Sequence, residues 1–259
     1  MSYKGIFFAK KKNGSEYYRV SVTSKGKHIS LGSFEILDEA LKCRKEADEI
    51  LLSENLTIDD YDNSYSLSFE KFVILINYRD NGIYIPNPIY LSTNMIYYYL
   101  DKDTVLKFDR DDLFYYSTHK ICKRGNHLFC YEYGNQISIN ERYSIPAYAI
   151  IGKDYRFINN DIYDFRYSNI EIINRYHGVR KKIKDRKTVY EVKIHLNGYI
   201  KIGEFEDEIT AAIAYNKAVD LLKKNNSKDF IQNYPELNAK EYAAIYSGIQ
   251  LPDKLYTYI

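Results

Sequence analysis

The 259-residue chain has no tryptophan, few cysteines and no long apolar run. A membrane-spanning helix needs about 20 mostly apolar residues, and a signal peptide needs an apolar N-terminal stretch. Because neither pattern occurs, we expect no membrane partner and no secretion signal. The three cysteines, Cys43, Cys122 and Cys130, are an odd number without a C-x-x-C pair. Unpaired thiols are typical of a reducing compartment, so we expect a cytoplasmic protein, in a bacterium or a phage-infected cell.

A strong net charge is also absent, but the near-neutral total hides an uneven distribution. The chain has 37 basic and 35 acidic residues. Residues 1–32 hold seven basic side chains and one acidic, and residues 175–203 hold nine basic and two acidic. The rest of the chain therefore has 21 basic and 32 acidic residues. Two concentrated basic segments are typical of proteins that bind the phosphate backbone of nucleic acids. Solvated loop charges are the alternative.

One series of motifs occurs near both ends of the chain. The first copy contains YKGI at 3–6, YRVSV at 18–22, LGSF at 31–34 and DEAL at 38–41. The second copy contains YHGV at 176–179, YEVKI at 190–194, IGEF at 202–205 and EITAA at 208–212. The order and spacing nearly match, which predicts two copies of one structural unit.

Each copy is predicted to form three strands followed by a helix. In the first copy the strands are expected at 6–11, 18–23 and 27–31, separated by Asn-Gly and Lys-Gly turns. Spacings of three and four residues predict a helix over 36–52 with an apolar stripe at Ile36, Ala40, Cys43, Ala47 and Leu51. The second helix is expected at 208–224. Alternation turns every second strand residue away from the helix, which leaves a polar, basic outer sheet face.

The motifs of both copies resemble the Apetala-2/ERF DNA-binding domain, whose pattern includes Y-(K/R)-G-V, L-G-x-F and E-A-A-x-A-Y. The second copy is more similar, and it also has a tail, FIQNYP at 230–235, that resembles the family's "LNFP". The resemblance implies a three-stranded sheet that lies in the DNA major groove. The family's sheet tryptophans are missing here, so the binding mode carries over better than the target sequence.

Carried onto this chain, the resemblance and the basic runs predict a set of DNA-binding residues on the two sheets. They are Lys10, Lys11, Lys12, Arg19, Ser21, Thr23, His28 and Ser30 in the first copy, and Arg180, Lys181, Lys182, Glu191, Lys193, His195, Tyr199 and Lys201 in the second.

The segment between the copies ends in a stretch that resembles HNH homing-type endonucleases, whose core reads D-H-I-N-G-D-x-L-D-N-R-R-x-N-L. Asp161, Asp164, Arg166 and Asn169 match this pattern. The D-H pair is replaced by Arg156 and Phe157, the middle Asn by Phe165, and the upstream H-R-(L/I) motif by Ile145, Pro146, Ala147 and Tyr148. An HNH nuclease needs a histidine as general base and ligands for a divalent metal. We therefore expect a scaffold without catalytic residues, in which the matching residues form a turn, an ion pair and a cap.

Two further expectations concern the middle of the chain. Cys122 and Cys130 are expected to be partly buried strand residues. A zinc site built from His119, Cys122, His127 and Cys130 is the less favoured alternative, because structural zinc usually uses C-x-x-C hairpins or a helical His pair. No metal and no cofactor are expected. Residues 66–78 and 83–90 alternate like strands.

The predicted fold is α+β, with two three-stranded antiparallel sheet plus helix domains at 1–54 and 175–259. They flank a central domain, 55–174, that is HNH-like and ββα from about residue 105. The predicted function is sequence-specific double-stranded DNA binding without cleavage, as a bacterial, phage or mobile-element regulator. The alternatives are an active HNH homing-type DNA endonuclease and a phage or mobile-element inhibitor that binds a host defence protein. In the inhibitor alternative the acidic middle of the chain would act as a nucleic-acid mimic.

Overall fold

A computed structural model describes residues 3–224 and 229–258, and it confirms a mixed α+β fold with small antiparallel sheets. The chain forms two compact units. The first comprises residues 1–139 and 161–169, and the second comprises residues 140–160 and 170–259. Each unit contains one copy of the repeat.

The first copy forms the predicted sheet and helix. Its strands are β1 (Ile6–Lys10), β2 (Glu16–Ser24) and β3 (Lys27–Phe34), and its helix is α1 (Leu37–Leu52). The strands are antiparallel in the order β1-β2-β3. Helix α1 buries Ala40, Cys43 and Ala47 as predicted. Ile36 differs from the prediction, because it precedes the helix and is exposed. Ile50, rather than Leu51, completes the buried stripe.

The strand predicted over 66–78 is wrong, because this segment forms helix α2 (Phe69–Asn81). Ser68 caps its first turn by accepting the Lys71 backbone N–H, and Gly82 ends it in the left-handed conformation at a φ of 69°. The run from Phe72 to Tyr78 is buried on every side. A continuously apolar segment carries no periodicity that separates a buried strand from a buried helix.

Helix α2 completes the core of the first copy. Phe72 and Leu75 pack in the same cluster as Val22, Ile29 and Ala40. The buried Glu46 of α1 also accepts backbone N–H groups from residues 66 and 67 at 3.0 and 2.9 Å. The domain limit predicted after residue 54 stays a prediction, and it falls within this shared core.

The remaining elements of the first unit are short. They are β4 (Ile89–Leu91), β5 (Met95–Tyr99), β6 (Val105–Asp109), α3 (Leu113–Thr118), β7 (Cys122–Arg124), β8 (His127–Glu132) and β9 (Asn135–Ser138). Strands β4-β5-β6 form one antiparallel sheet and β7-β8-β9 another. Of the strand predicted over 83–90, only its end is part of β4.

The second copy repeats the first. Its sheet and helix are β12 (Val179–Lys184), β13 (Lys187–His195), β14 (Tyr199–Phe205) and α5 (Glu208–Lys223). Three short elements precede it in the chain, namely α4 (Ile139–Arg142), β10 (Tyr155–Phe157) and β11 (Ile170–Ile172), and α6 (Ala239–Gly248) follows it. Strands β12-β13-β14 form an antiparallel sheet that α5 covers. Strands β10 and β11 pair as a hairpin. Residues 173–178 contain no helix, so the hairpin is not followed by the helix of a ββα module.

The two sheets share details that explain the Y-x-G motif. Each middle strand has a bulge at the same place, after Val20 and after Val192. In each copy the glycine of the motif lies against the middle strand. The Gly5 carbonyl accepts the Ser21 N–H, and the Gly178 carbonyl accepts the Lys193 N–H, both at 2.8 Å. A Cβ atom at Gly5 would lie 2.3 Å from the Ser21 carbonyl oxygen, and one at Gly178 would lie 2.3 Å from the Tyr215 ring. Only glycine allows this close approach.

Within residues 3–224 and 229–258, no helix is long and apolar enough to cross a membrane.

Candidate nucleic-acid interface

The outer face of a sheet is here the side turned away from its helix. In the second sheet, cross-strand pairing puts Arg180 and Glu204 beside Glu191, Lys201 opposite Lys193, and Tyr199 opposite His195. Directly opposed residues of antiparallel strands project to the same side. The second sheet therefore brings seven of the eight predicted residues together, namely Arg180, Lys182, Glu191, Lys193, His195, Tyr199 and Lys201. Lys181 is exposed, but it pairs with Tyr190 and belongs to the other face.

Two carboxylates hold four lysines in place on this outer face. The Glu191 carboxylate lies 2.9 Å from the ammonium groups of both Lys182 and Lys193. Hydrogen bonding from Lys182, more than from Lys193, lowers the pKa of this buried glutamate. Glu204 lies 2.5 Å from Lys201 and 3.0 Å from Lys184.

The pKa of Glu204 is lowered to about 2, first by its hydrogen bond from Lys201 and then by that from Lys184. Both carboxylates are thus ionised at neutral pH, and the ion pairs keep the lysines in fixed positions. Because four lysines share two glutamates, the face keeps a positive charge. Arg180 adds to it, since it is exposed and forms no ion pair with any residue of the described chain.

Lys184 and Glu204 are not among the residues predicted from the sequence. Lys184 follows Lys182 at the two-residue period of β12, so alternation alone could have found it. Glu204 could not have been placed without the β13–β14 register, because the bulge after Val192 shifts that register by one residue.

The outer face of the first sheet is less charged. Arg19 is exposed between Phe7 of β1 and Ser33 of β3. Farther along the strand, the Oγ1 of Thr23 and the Nδ1 of His28 are 3.4 Å apart. Ser21 and Ser30 also face each other, but Ser21 is only 7% exposed, because its short side chain lies in the centre of the sheet. Ser21 therefore belongs to the outer face, but its side chain is largely covered.

The three consecutive lysines of the first copy do not share one direction. Lys10 forms an ion pair with Glu16 at 2.8 Å and lies 5.8 Å from the centre of the Phe8 ring. Lys10 lies two residues after Phe8 on β1, so both side chains project to the same face. Arg19 pairs with Phe7 and projects to the opposite face. Lys10 is therefore not on the outer face, where it was predicted. Lys11 lies 3.4 Å from Glu35, and Lys12 is exposed after the end of β1.

The HNH-like stretch has aromatic core residues at the positions where the family has catalytic ones. Phe157 is 5% exposed and Phe165 is 4% exposed. Phe165 stacks on Phe108 with ring centres 5.7 Å apart. Neither side chain can accept a proton or bind a metal, and both are packed away from solvent.

The matching polar residues hold a loop of the first unit. Arg166 donates two hydrogen bonds to the buried carboxylate of Asp164, at 2.8 and 2.5 Å. The Asn169 amide donates to the Asp164 carbonyl at 2.8 Å, and the Asp164 N–H donates to the Asp161 carbonyl at 3.1 Å. These contacts form the predicted turn and ion pair, and the Asn169 amide fixes the Asp164 carbonyl instead of forming the predicted cap.

The alternative metal ligands do not converge. The His119 ring stacks on Tyr115 at 4.2 Å, and the Cys130 thiol lies 3.9 Å from the His119 carbonyl oxygen. Among the residues that the structure describes, no group of three His, Cys, Asp or Glu side chains could hold a metal ion. All three cysteines are free thiols.

Comparison of the chain with protein-family models, curated proteins and solved structures finds no match. The Apetala-2/ERF and HNH resemblances therefore stay resemblances, carried by the motifs of the chain itself.

Proposed function

We propose that this protein binds double-stranded DNA through the outer faces of its two repeated sheets and does not cleave it. The observation that carries the proposal is the outer face of the second sheet. There, Arg180 and four aligned lysines project from one side of three paired strands, with only two carboxylates among them. Such a face fits a surface with regularly spaced negative charges.

The expected binding mode follows from the shape of a small sheet. A β-ribbon fits into the major groove, where side chains can reach base edges while flanking cations contact phosphates. Phosphate contacts supply affinity for any sequence, and base contacts supply preference. Arg180 is suited to bidentate contacts, because its guanidinium presents a planar fork of donors.

The presence of two copies supports recognition of a longer site. The first sheet carries Arg19 where the second carries Glu191, so the two faces are not interchangeable readers. Two weak readers on one chain raise the overall affinity when both reach the same duplex. Buried Phe157 and Phe165 support binding without hydrolysis.

A gel-shift selection on random duplex DNA, with and without magnesium, tests the proposal. If about six to ten phosphates are contacted, affinity should fall roughly 10³- to 10⁵-fold between about 50 and 200 mM salt. Arg180→Ala should weaken binding, whereas Lys240→Ala, an exposed lysine of α6, should not. Absent or salt-independent binding would contradict the proposal and favour the protein-inhibitor alternative.

A further inference from the structure

A cavity of about 320 Å³ in the second unit borders the outer face of the second sheet. One side is formed by Arg180, Lys193 and His195 of the sheet. The other side is formed by the segment from Tyr148 to Asp154, which precedes the β10–β11 hairpin in the chain. This part of the outer face is therefore a concave site, whereas the rest is an open sheet.

The charged groups of the cavity select an anion. Lys153, Arg180 and Lys193 line it, and Asp154 is the one carboxylate among its lining residues. Lys193 is paired with Glu191, so Lys153 and Arg180 are the cations assigned to the anion.

The Asp154 carboxylate accepts the Ile150 backbone N–H at 3.0 Å and the Asn174 amide at 3.2 Å, and it lies 3.9 Å from the Lys153 ammonium group. A phosphate would therefore share Lys153 with Asp154. Cations with rotatable or forked N–H groups, beside an occupied carboxylate, form a site for phosphate oxygens.

The rings of the cavity suit a flat aromatic group. His195 and Tyr199 meet edge to face with ring centres 5.0 Å apart, and Tyr199 is 70% exposed, so a ring surface is open to a ligand. Tyr148 contacts His177 in a similar way at 4.9 Å. Nucleobases stack on such side chains with little dependence on base identity.

His177 belongs to the wall rather than to the anion site. Its Nδ1 lies 2.9 Å from the Tyr215 hydroxyl, which fixes the ring. Burial, followed by the charge of Lys153, lowers the pKa of His177 below its ordinary value. The imidazole is therefore neutral at neutral pH and contributes a ring surface and a hydrogen-bonding nitrogen instead of a charge.

The size of the cavity limits the ligand. Small-molecule sites range from about 300 to 1,000 Å³, and this cavity is at the lower end. A single nucleotide suits that volume, whereas a dinucleotide cofactor would need a site nearer the upper end.

We propose that this cavity binds one phosphorylated nucleoside, with the phosphate held by Lys153 and Arg180 and the base against Tyr199. The nucleotide is either free or an unpaired nucleotide of a bound nucleic acid. Only the second source rests on the DNA binding proposed above. The chemistry of recognition is the same for both sources.

Isothermal titration with free ligands tests the cavity independently of DNA. The probes are nucleoside 5′-monophosphates, the corresponding nucleosides and inorganic phosphate. We expect the monophosphates to bind more tightly than either part alone. Lys153→Ala and Arg180→Ala should each weaken monophosphate binding at least tenfold. Lys181→Ala is the matched control, because it removes the same charge from the same strand outside the cavity.

Tyr199→Ala separates a nucleotide site from a general anion site. Loss of stacking on one base should weaken monophosphate binding about tenfold and leave inorganic phosphate unchanged. Tyr199 is exposed, so its removal should not unfold the sheet. Equal loss for both probes would overturn the assignment of the base to Tyr199.

A second arm uses duplexes that carry one 2-aminopurine, either paired or unpaired. If binding quenches the fluorescence of the unpaired 2-aminopurine, and Tyr199→Ala abolishes the quenching, the cavity takes an unpaired nucleotide of the bound nucleic acid. If duplexes do not bind but free monophosphates do, the DNA proposal fails and the cavity proposal stands. If duplexes bind, yet neither free monophosphates nor the unpaired base responds to the cavity variants, the cavity proposal is overturned.

Discussion

The Lys193 ammonium lies 2.9 Å from the Glu191 carboxylate on the outer face of the second sheet. Lys182, on the neighbouring strand, lies at the same distance from the same carboxylate. Because Glu191 is buried in the centre of the sheet, it holds both lysines without projecting into solvent. The positively charged surface is therefore ordered before any ligand arrives.

Replacing the central carboxylate tests whether it restrains the lysines. Glu191→Gln keeps the shape of the side chain and removes its charge, so Lys182 and Lys193 become free to bind phosphates. We expect tighter binding to all DNA sequences, and a salt dependence of log K that is steeper by about 0.9 for each additional phosphate that a released lysine neutralises. Fluorescence anisotropy over a salt series measures both.

Glu206→Gln is the control for this change, because Glu206 is an exposed glutamate beyond the end of β14. It should leave the salt slope unchanged. A loss of affinity in Glu191→Gln would instead mean that the ion pairs of Glu191 hold Lys182 and Lys193 in the positions that binding needs.

Arg19 and Lys12 should have different effects on sequence preference. Arg19 is exposed on the outer face, whereas Lys12 follows the end of β1. Arg19→Ala should cost about 1–3 kcal/mol on the preferred site and less on random DNA, because a base contact is lost. Lys12→Ala should weaken both about equally, because only a phosphate contact is lost. Competition assays with the selected and a shuffled duplex measure the difference. Equal losses for Arg19→Ala would reject its role in base readout.

The repeat could be predicted because its signals are local. Alternating residues and turn glycines predicted β2 and β13, and helix α5 ends one residue before its predicted end. The position of Lys10 could not be predicted, because the sequence does not show that the lysine run begins on the helix side of the sheet. Helix α2 was predicted as a strand, because a continuously apolar run shows no periodicity that separates a buried helix from a buried strand.

The site depends on register and tertiary contact. Glu204 lies beside Glu191 because a bulge after Val192 shifts the register between β13 and β14. The alternation of residues along a strand does not reveal such a bulge. Lys153 comes to the cavity from a segment 26 residues before Val179, where the sheet begins, and no motif in the sequence connects the two. Sequence patterns therefore predicted which strands form the face, but not which charges neutralise it or what encloses part of it.

The two phenylalanines in the HNH-like stretch should act as core residues. Phe165→Ala removes a buried ring that stacks on Phe108, so we expect a loss of about 3–5 kcal/mol in unfolding free energy. Phe114→Ala is the matched control, because Phe114 is 85% exposed and its loss should change stability little. Urea unfolding measures both. A stable Phe165→Ala variant would show that this position is not part of the core.

The same geometry predicts the result of a cleavage assay. The unmodified protein should leave its bound DNA intact in magnesium or manganese, because Phe157 and Phe165 offer neither a general base nor a metal ligand. Cutting of a specific site by the unmodified protein would instead support the active-endonuclease alternative.

The last prediction concerns the tail that follows α5. The Asn233 side chain accepts the His177 backbone N–H at 2.7 Å and donates to the His177 carbonyl at 3.0 Å. Its backbone is paired in the same way with the buried Asn216 side chain. Asn233→Ala leaves both backbone groups of His177 without these partners, and each lost partner costs about 1–3 kcal/mol. We therefore expect a clear drop in the urea midpoint.

Asn55→Ala, in an exposed loop, is the control and should change the midpoint little. Because His177 lines the nucleotide cavity, Asn233→Ala should also weaken monophosphate binding while the protein is still folded. A variant with unchanged stability would show that the tail does not hold the loop at His177. A variant with lower stability but normal nucleotide affinity would show that the tail supports the fold without shaping the cavity.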